Sequence, residues 1–216
     1  AVEQRSVDEK YGELLYPQSL AGSVTEWSVS GEQWGKFMKG VFDQWVRRDV
    51  GRVYVQLFDS SLAAWLGEKP SLCVMQASCG AGLVVEQNGD VYSCDHYVYP
   101  EHRLGNLRRD NLAKMAGSKQ QKKFGMAKTE LTAQCMQCEW RFACHGGCPK
   151  HRIHKNGDRW QNHLCAGYKD MFSHMAPYMR YMAEQIQMQA PPANVMRVAE
   201  LISSCGKNSP AVTNAL

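Results

Sequence analysis

Eight cysteines crowded between residues 73 and 165 constrain this chain more than any other feature. They are Cys73, Cys79, Cys94, Cys135, Cys138, Cys144, Cys148 and Cys165; a ninth, Cys205, stands apart near the C-terminus. Nine cysteines in 216 residues either staple a secreted fold with disulfides or hold metal in a reducing compartment. The chain opens Ala1-Val2-Glu3-Gln4-Arg5, with no apolar signal core and no initiator methionine. The expectation is therefore metal or cluster ligation, in a cytoplasmic chain that begins partway through a longer protein. No apolar run is long enough to span a bilayer, so no membrane partner is expected. The formal net charge of +4 comes without a basic cluster interleaved with aromatics, which argues against nucleic acid as a partner. Lys122-Lys123 and Arg108-Arg109 are short pairs of the kind found on solvated faces.

The spacing narrows the choice of metal. The dense part is Cys135-x2-Cys138-x5-Cys144-x3-Cys148-Pro149. A C-x2-C pair lets two thiolates reach one metal centre from a single turn. A run that ends in Cys-Pro echoes the bacterial ferredoxin pattern, in which the last cysteine ligates the other cluster. The precedent predicts a crossover. Cys135, Cys138 and Cys144 share one site with Cys165, and Cys148 turns away to join Cys73, Cys79 and Cys94 around a second. The count agrees: three upstream cysteines need a fourth, and the downstream group has one too many for a single cubane. Two tetrahedral zinc sites in a binding module without redox role are the rival, since zinc also takes four thiolates. Paired C-x2-4-C knuckles would favour zinc, but the Cys135/Cys138 knuckle has no upstream counterpart. Wide, unequal spacings favour iron–sulfur. Cys205, in a Gly/Asn/Ser tail, is expected to be a bystander thiol.

The rest of the chain predicts an α+β fold. Residues 1–26 are expected to be irregular, punctuated by Gly12, Pro17 and Gly22. Ser30 and Gln33 form a capping-box pattern, and Trp34, Phe37, Met38, Val41, Phe42 and Trp45 follow at helical spacing as far as Gly51. Residues 53–58 form a β-rich run suited to a buried parallel strand, and Ser60 to Leu66 a short helix stopped by Gly67 and Pro70. Helix, strand and helix make one turn of an α/β barrel, which needs further neighbours to fold. Asn88-Gly89 between two β-rich runs predicts a hairpin that returns Cys94 toward Cys79. Residues 106–130 are polar and helical in pattern. After Cys165 an apolar helix is expected to run to about Gln189, with Pro177 as a kink or division, and Val195 to Ile202 suggests a last short helix.

At this point the residues resemble a known family. The order Cys73-x5-Cys79-x14-Cys94, then Cys135-x2-Cys138-x5-Cys144-x3-Cys148, then Cys165 is similar to the SPASM domain of radical S-adenosylmethionine (SAM) enzymes. Within that group the chain looks most like the anaerobic sulfatase-maturating enzymes. Cys94-Asp95-His96-Tyr97-Val98-Tyr99-Pro100 with Arg103-Leu104-Gly105-Asn106, and Cys144-His145-Gly146-Gly147-Cys148-Pro149-Lys150, carry the likeness. It implies three regions: the end of a radical SAM partial barrel over 1–72, a SPASM domain with two 4Fe-4S clusters over 73–170, and a C-terminal helix and tail over 171–216.

The resemblance also implies an activity. Those enzymes are oxidoreductases that convert a Cys or Ser of an unfolded sulfatase segment to formylglycine without oxygen. A SAM-derived radical removes a hydrogen from the β-carbon, a base removes the side-chain proton, and an electron leaves through auxiliary clusters. Asp95 stands where the family places that base; without the likeness, a turn aspartate closing the hairpin would be the simpler account. The implied partners are the sulfatase peptide and an electron-transfer protein such as flavodoxin or ferredoxin. The family's initiating motif, C-x3-C-x2-C, does not occur here. SAM and a third 4Fe-4S cluster are thus expected on residues outside this stretch, which is not expected to turn over alone. A SPASM domain of a maturase acting on another peptide is the neighbouring alternative. His145, His151 and His154 sit near the cluster loop, where one could hydrogen-bond a sulfur, but surface or structural roles are the expectation; His96 beside Asp95 could orient the carboxylate. Trp140, Phe142 and Trp160 are expected to shield a cluster. Met171, Met175, Met179 and Met182 are expected to pack a helix rather than form a binding surface.

Overall fold

The computed structural model describes residue 24 and residues 27–206, except the side chains of 205 and 206. The rest of the N-terminal stretch, the tail after Gly206 and the Cys205 thiol lie outside the described residues. The chain forms two compact units, each built from two stretches. Residues 30–70 fold with the segment that starts at Ala166, and residues 71–165 with the segment that ends at Val29.

The first of these units is helical. Helix α1 (Gly31–Arg48) starts at the expected capping box: Ser30 Oγ accepts from the Gln33 amide at 3.1 Å, and Gln33 Oε1 accepts from the Ser30 amide at 2.9 Å. Its apolar face buries Phe42, Trp45 and Val46. Phe42 meets Phe58 edge-on at 5.1 Å and Tyr178 at 5.5 Å. The strand expected over 53–58 is absent. Val53 and Tyr54 are exposed, and α2 (Gln56–Trp65) begins inside that run. The Asp59 carboxylate accepts from the Val55 amide at 3.0 Å and thereby holds the helix start. Among the described residues no other strand falls in this unit to pair with such a run.

Helix α7 (Cys165–Gln187) runs through Pro177 without dividing. Met171, Met175, Met179 and Met182 are fully buried, so the methionine stripe is core. Helix α8 (Val195–Gly206) runs longer than expected and buries Val195 and Ala199; Glu200 accepts from Arg47 at 2.6 Å.

The cysteine-bearing unit has little regular structure. Strands β1 (Val84–Val85), β2 (Asp90–Tyr92) and β3 (Arg103–Asn106) form an antiparallel sheet in chain order. The β1–β2 turn is the Asn88-Gly89 hairpin, with Gly89 left-handed at φ 87°. Helices α3 (Leu112–Ala116) and α4 (Lys119–Ala127) follow, capped by the Asn111 and Ser118 side chains. Single-turn helices α5 (Ala133–Met136) and α6 (Arg141–Cys144) lead to a second antiparallel hairpin, β4 (Arg152–Asn156) with β5 (Arg159–Asn162). Small sheets, short helices and cysteine loops make this the α+β arrangement expected for a SPASM-type domain.

Candidate cluster-binding site

The eight described cysteines are free thiols. One group gathers Cys73, Cys79, Cys94 and Cys148. The Cys148 thiol interacts electrostatically with Cys79 and Cys73, Cys94 with Cys148, and Cys79 with Cys73. Helix α4 holds three of the four on one face. Gln121 Nε2 donates to Gly80 O at 3.2 Å and Ser93 O at 3.1 Å, tying the residue after Cys79 to the residue before Cys94. Gly125 O accepts from the Cys79 amide at 3.1 Å, and a Cβ on Gly125 would come within 2.5 Å of Cys79 O. Lys128 Nζ, just past α4, donates to Cys73 O at 2.8 Å and Val74 O at 3.0 Å.

The other group gathers Cys135, Cys138, Cys144 and Cys165, all three partners acting on Cys144. Thr132 caps α5 by accepting from the Cys135 amide at 3.1 Å, and the Cys138 amide donates to Cys135 O at 3.2 Å, so this pair sits on one turn. Cys144 ends α6, and Cys165 opens α7 with Gln161 Nε2 donating to its sulfur at 3.0 Å. Between Cys144 and Cys148, three successive residues are left-handed: His145 at φ 46°, Gly146 at 74° and Gly147 at 64°. That reversal sends Cys148 to the first group, and glycine carries it without a Cβ clash.

Burial pushes the thiols up, Cys94 and Cys144 to about 12 and Cys148 to about 11. Each is opposed by an amide two residues on, from His96, Gly146 and Lys150 respectively. The pockets thus disfavour bare thiolates yet already aim N–H groups at sulfur, as thiolates on a metal centre require. Two buried cations adjoin the first group. Lys128 is fully buried and Arg152 is 5% exposed; Arg152 donates to Gly146 O, Glu130 O and His145 O at 3.1–3.2 Å. Among the described residues neither has a carboxylate partner, so a buried anion at the thiols is the charge that fits. Within neither group do three sulfurs lie within 4.8 Å of one another; among the described residues only Cys94, Asp95 and His96 present three ligand atoms that close. Four thiolates on one zinc stand ~3.8 Å apart, given Zn–S bonds of ~2.3 Å.

Asp95 stands against the first group. Its Oδ1 accepts from the Cys94 thiol and from the His96 amide, both at 3.1 Å. The bond from Cys94 holds its carboxyl below the usual range, against a smaller opposing effect of burial. The imidazole that meets a sulfur is that of His96, whose Nδ1 lies 3.3 Å from Cys148 Sγ. His154 instead pairs with His163 at 2.9 Å, and burial presses His151 down to about 4. Of the expected aromatic shield, Trp140 is buried but Phe142 is 42% exposed; Tyr97, 5% exposed, borders the thiols of Cys148, Cys79 and Cys94. Sequence reasoning missed Gln121, Gly125, Lys128 and Arg152. The spacing 121, 125, 128 is helical, but a polar buried face leaves no hydrophobic period. The β4–β5 hairpin did carry a signal, the dipeptide Asn156-Gly157.

Residues 78–139 match the family model of the SPASM iron–sulfur cluster-binding domain. Together with two groups of four thiols, that match defines the class: the chain carries a SPASM domain of the radical SAM enzymes. Relatives that it matches over their C-terminal region include serine-type and cysteine-type anaerobic sulfatase-maturating enzymes. The serine-type enzyme of Bacteroides thetaiotaomicron is 47% identical over 179 residues, 82% of this chain and 43% of that protein. The cysteine-type enzyme of Clostridium perfringens (strain 13 / Type A) is 31% identical over 164 residues, 74% of this chain and 44% of that protein. The solved structure of native anSMEcpe with bound AdoMet has a TM-score of 0.68 at 29% identity, covering 76% of this chain and 46% of that one. A further structure of that enzyme holds AdoMet and the Cp18Cys peptide, with a TM-score of 0.69 at 29% identity over 77% of this chain and 48% of that one. The chain spans less than half the length of these curated relatives. Among the described residues no helix is long and apolar enough to cross a membrane.

Proposed function

We propose that this chain is the C-terminal, auxiliary-cluster part of a cytoplasmic radical SAM oxidoreductase that converts a Cys or Ser of an unfolded sulfatase segment to formylglycine. The observation that carries the reading is the division of eight thiols into two groups of four, with a carboxylate against one of them. Cys73, Cys79, Cys94 and Cys148 hold one 4Fe-4S cluster, and Cys135, Cys138, Cys144 and Cys165 the other. The unequal spacing of the cysteines and the match to an iron–sulfur cluster-binding domain support cubanes over single zinc ions. Along the chain, 73–170 is the cluster domain and 171–216 the C-terminal helix and tail, while 1–72 is assigned to the end of the barrel region and contributes helices α1 and α2 rather than the expected strand. The helices of 30–70 fold with those after 166 as one compact unit, separate from the cysteine-bearing one.

The bound clusters supply a one-electron acceptor next to the substrate. Oxidation of the side chain removes two electrons: one leaves with a hydrogen atom from the β-carbon, the other separately once the thiol or hydroxyl has lost its proton; serine gives the aldehyde directly, while the thioaldehyde from cysteine takes its oxygen from water and releases hydrogen sulfide. Asp95 takes that proton. Once Cys94 is a thiolate ligand, it no longer donates to Oδ1, and the attraction that lowers the Asp95 pKa becomes repulsion. The carboxylate becomes a better base while the His96 amide keeps it in place. The stretch contains no C-x3-C-x2-C motif, so SAM and the third cluster belong to residues outside these 216, and the stretch alone does not turn over. A flavodoxin or ferredoxin serves as electron partner, and the sulfatase segment as substrate. The neighbouring reading, a maturase for another peptide, differs in not needing a base at Asp95.

Two measurements test this. Anaerobically prepared protein should be brown, with about eight iron and eight sulfide per chain; a colourless protein with about two zinc would overturn the cluster reading. In the full-length enzyme, Asp95→Asn should lower formylglycine yield on a sulfatase peptide by on the order of 100-fold or more while iron content holds. Unchanged yield would remove Asp95 from the mechanism and favour the other maturase.

A further inference from the structure

Lys128 is the unusual residue of the molecule. Its side chain is fully buried, and its ammonium donates to two backbone carbonyls, Cys73 O and Val74 O. A buried ammonium without a counter-ion costs several kcal/mol or loses its proton. The thiols of Cys79, Cys148 and Cys73 are among the groups that act on Lys128 electrostatically. A second buried cation, Arg152, repels it. Arg152 also spends its donors on carbonyls, and the groups favouring its charge are Cys135, Cys79, Tyr97 and Cys148. Two like charges buried close to each other, each tied to carbonyls and with thiols acting on it, form an arrangement suited to an anion among the thiols.

The charge count fits. A cubane with four thiolates carries about −2 when oxidised and about −3 after taking one electron. Lys128 supplies one positive charge beside it, and Arg152, on which Cys135 of the other group acts as well as Cys79 and Cys148, adds to the same field. A carbonyl tie alone would not need a cation, since neutral Gln121 makes two such ties on the same helix face. An ammonium has three donors, and Cys73 O and Val74 O take two of them. A fixed positive charge in a water-poor site favours the more negative, reduced form, and so raises the reduction potential.

We propose that Lys128 is the built-in counter-charge of the cluster held by Cys73, Cys79, Cys94 and Cys148, and that it tunes this cluster to accept the substrate electron. Arg152 adds to the same field but also organises the His145–Gly146 turn, so Lys128 is the cleaner probe. The inference rests on the reading of those four cysteines as a cluster site.

The test is a potentiometric titration of the anaerobically loaded protein, followed by electron paramagnetic resonance, for wild type, Lys128→Met and Lys128→Arg. The expected result is that Lys128→Met keeps its iron and sulfide while one midpoint potential moves to more negative values, and that Lys128→Arg restores it. Loss of this cluster in Lys128→Met with retention in Lys128→Arg would also support the counter-charge, because occupancy would then track charge. Unchanged midpoints in a fully loaded Lys128→Met overturn the proposal. Equal cluster loss in both variants overturns it too, since the lysine would then be only a tie for the Cys73 and Val74 carbonyls. Wild-type protein with no iron at the four cysteines would overturn the cluster reading itself, a result distinct from either of these.

Discussion

Asp90 shows how much one side chain can organise next to the site. Its carboxylate accepts from Arg103 Nη2 at 2.5 Å, Asn106 Nδ2 at 2.8 Å and Asn88 Nδ2 at 3.1 Å, joining the hairpin turn to β3. The hydrogen bond from Arg103, then that from Asn106, hold its pKa down at about 2. A carboxylate depressed from the ordinary ~3.9 stabilises the fold above that value, and the contribution is lost as pH falls toward 2. Asp90→Asn should therefore lower the thermal midpoint by a constant amount near neutrality, and the gap to wild type should narrow below about pH 4. Thermal melts across that range check it; a gap independent of pH would mean the ionised form is not what matters. The sequence shows Asp90 only as the start of the β-rich run after Asn88-Gly89, because its partners Arg103 and Asn106 lie on a strand that propensity did not reveal.

At the scale of elements, glycine decides how α1 and α7 approach. A Cβ on Gly35 would lie 2.7 Å from Gly167 Cα, and one on Gly167 would lie 2.0 Å from Gly31 O. Both obstacles are backbone, so no rotamer change relieves them. Gly167→Ala gains ~1 kcal/mol of helix propensity but overpacks a rigid contact. The expected net loss is about 2 kcal/mol in denaturant melts; a stabilised variant would show that the helices can separate freely. The same scale holds the clearest failure of sequence reasoning. Val53 to Phe58 has the composition of a strand, yet Asp59 reaches back to the Val55 amide and α2 starts at Gln56. A β-rich run needs a neighbouring strand to pair with, and composition does not say whether one is present.

At the scale of the whole chain, the crossover joins distant segments of the cysteine-bearing unit. Cys148 lies beside Cys79 and Cys73, some 70 residues earlier, while Cys144 stays with Cys135 and Cys138. Cys148→Ala should therefore cut iron from about eight to about four per chain and spare the cluster closed by Cys165. Metal analysis with electron paramagnetic resonance checks this; loss of the other cluster instead would refute the proposed pairing. The compact units are likewise discontinuous: the chain leaves the helical one after Pro70 and re-enters it at Ala166.

The sequence by itself determined what depends on local spacing and residue chemistry. Eight thiols at those intervals, a Cys-Pro ending, Asn-Gly turns and a Ser30/Gln33 cap act within a few residues, so their consequences can be written from the chain alone. The α+β class and the likeness to sulfatase-maturating enzymes follow from them. Only the tertiary structure decided which groups surround the thiols. It turned a polar, Lys-rich helix into the support of the first cysteine group through Gln121, Gly125 and Lys128. It put His96, rather than His145 or His154, against a cysteine sulfur. Burial of polar groups is set by what lies across from them, and a charge such as Lys128 looks the same in sequence whether it meets water or a ring of thiols.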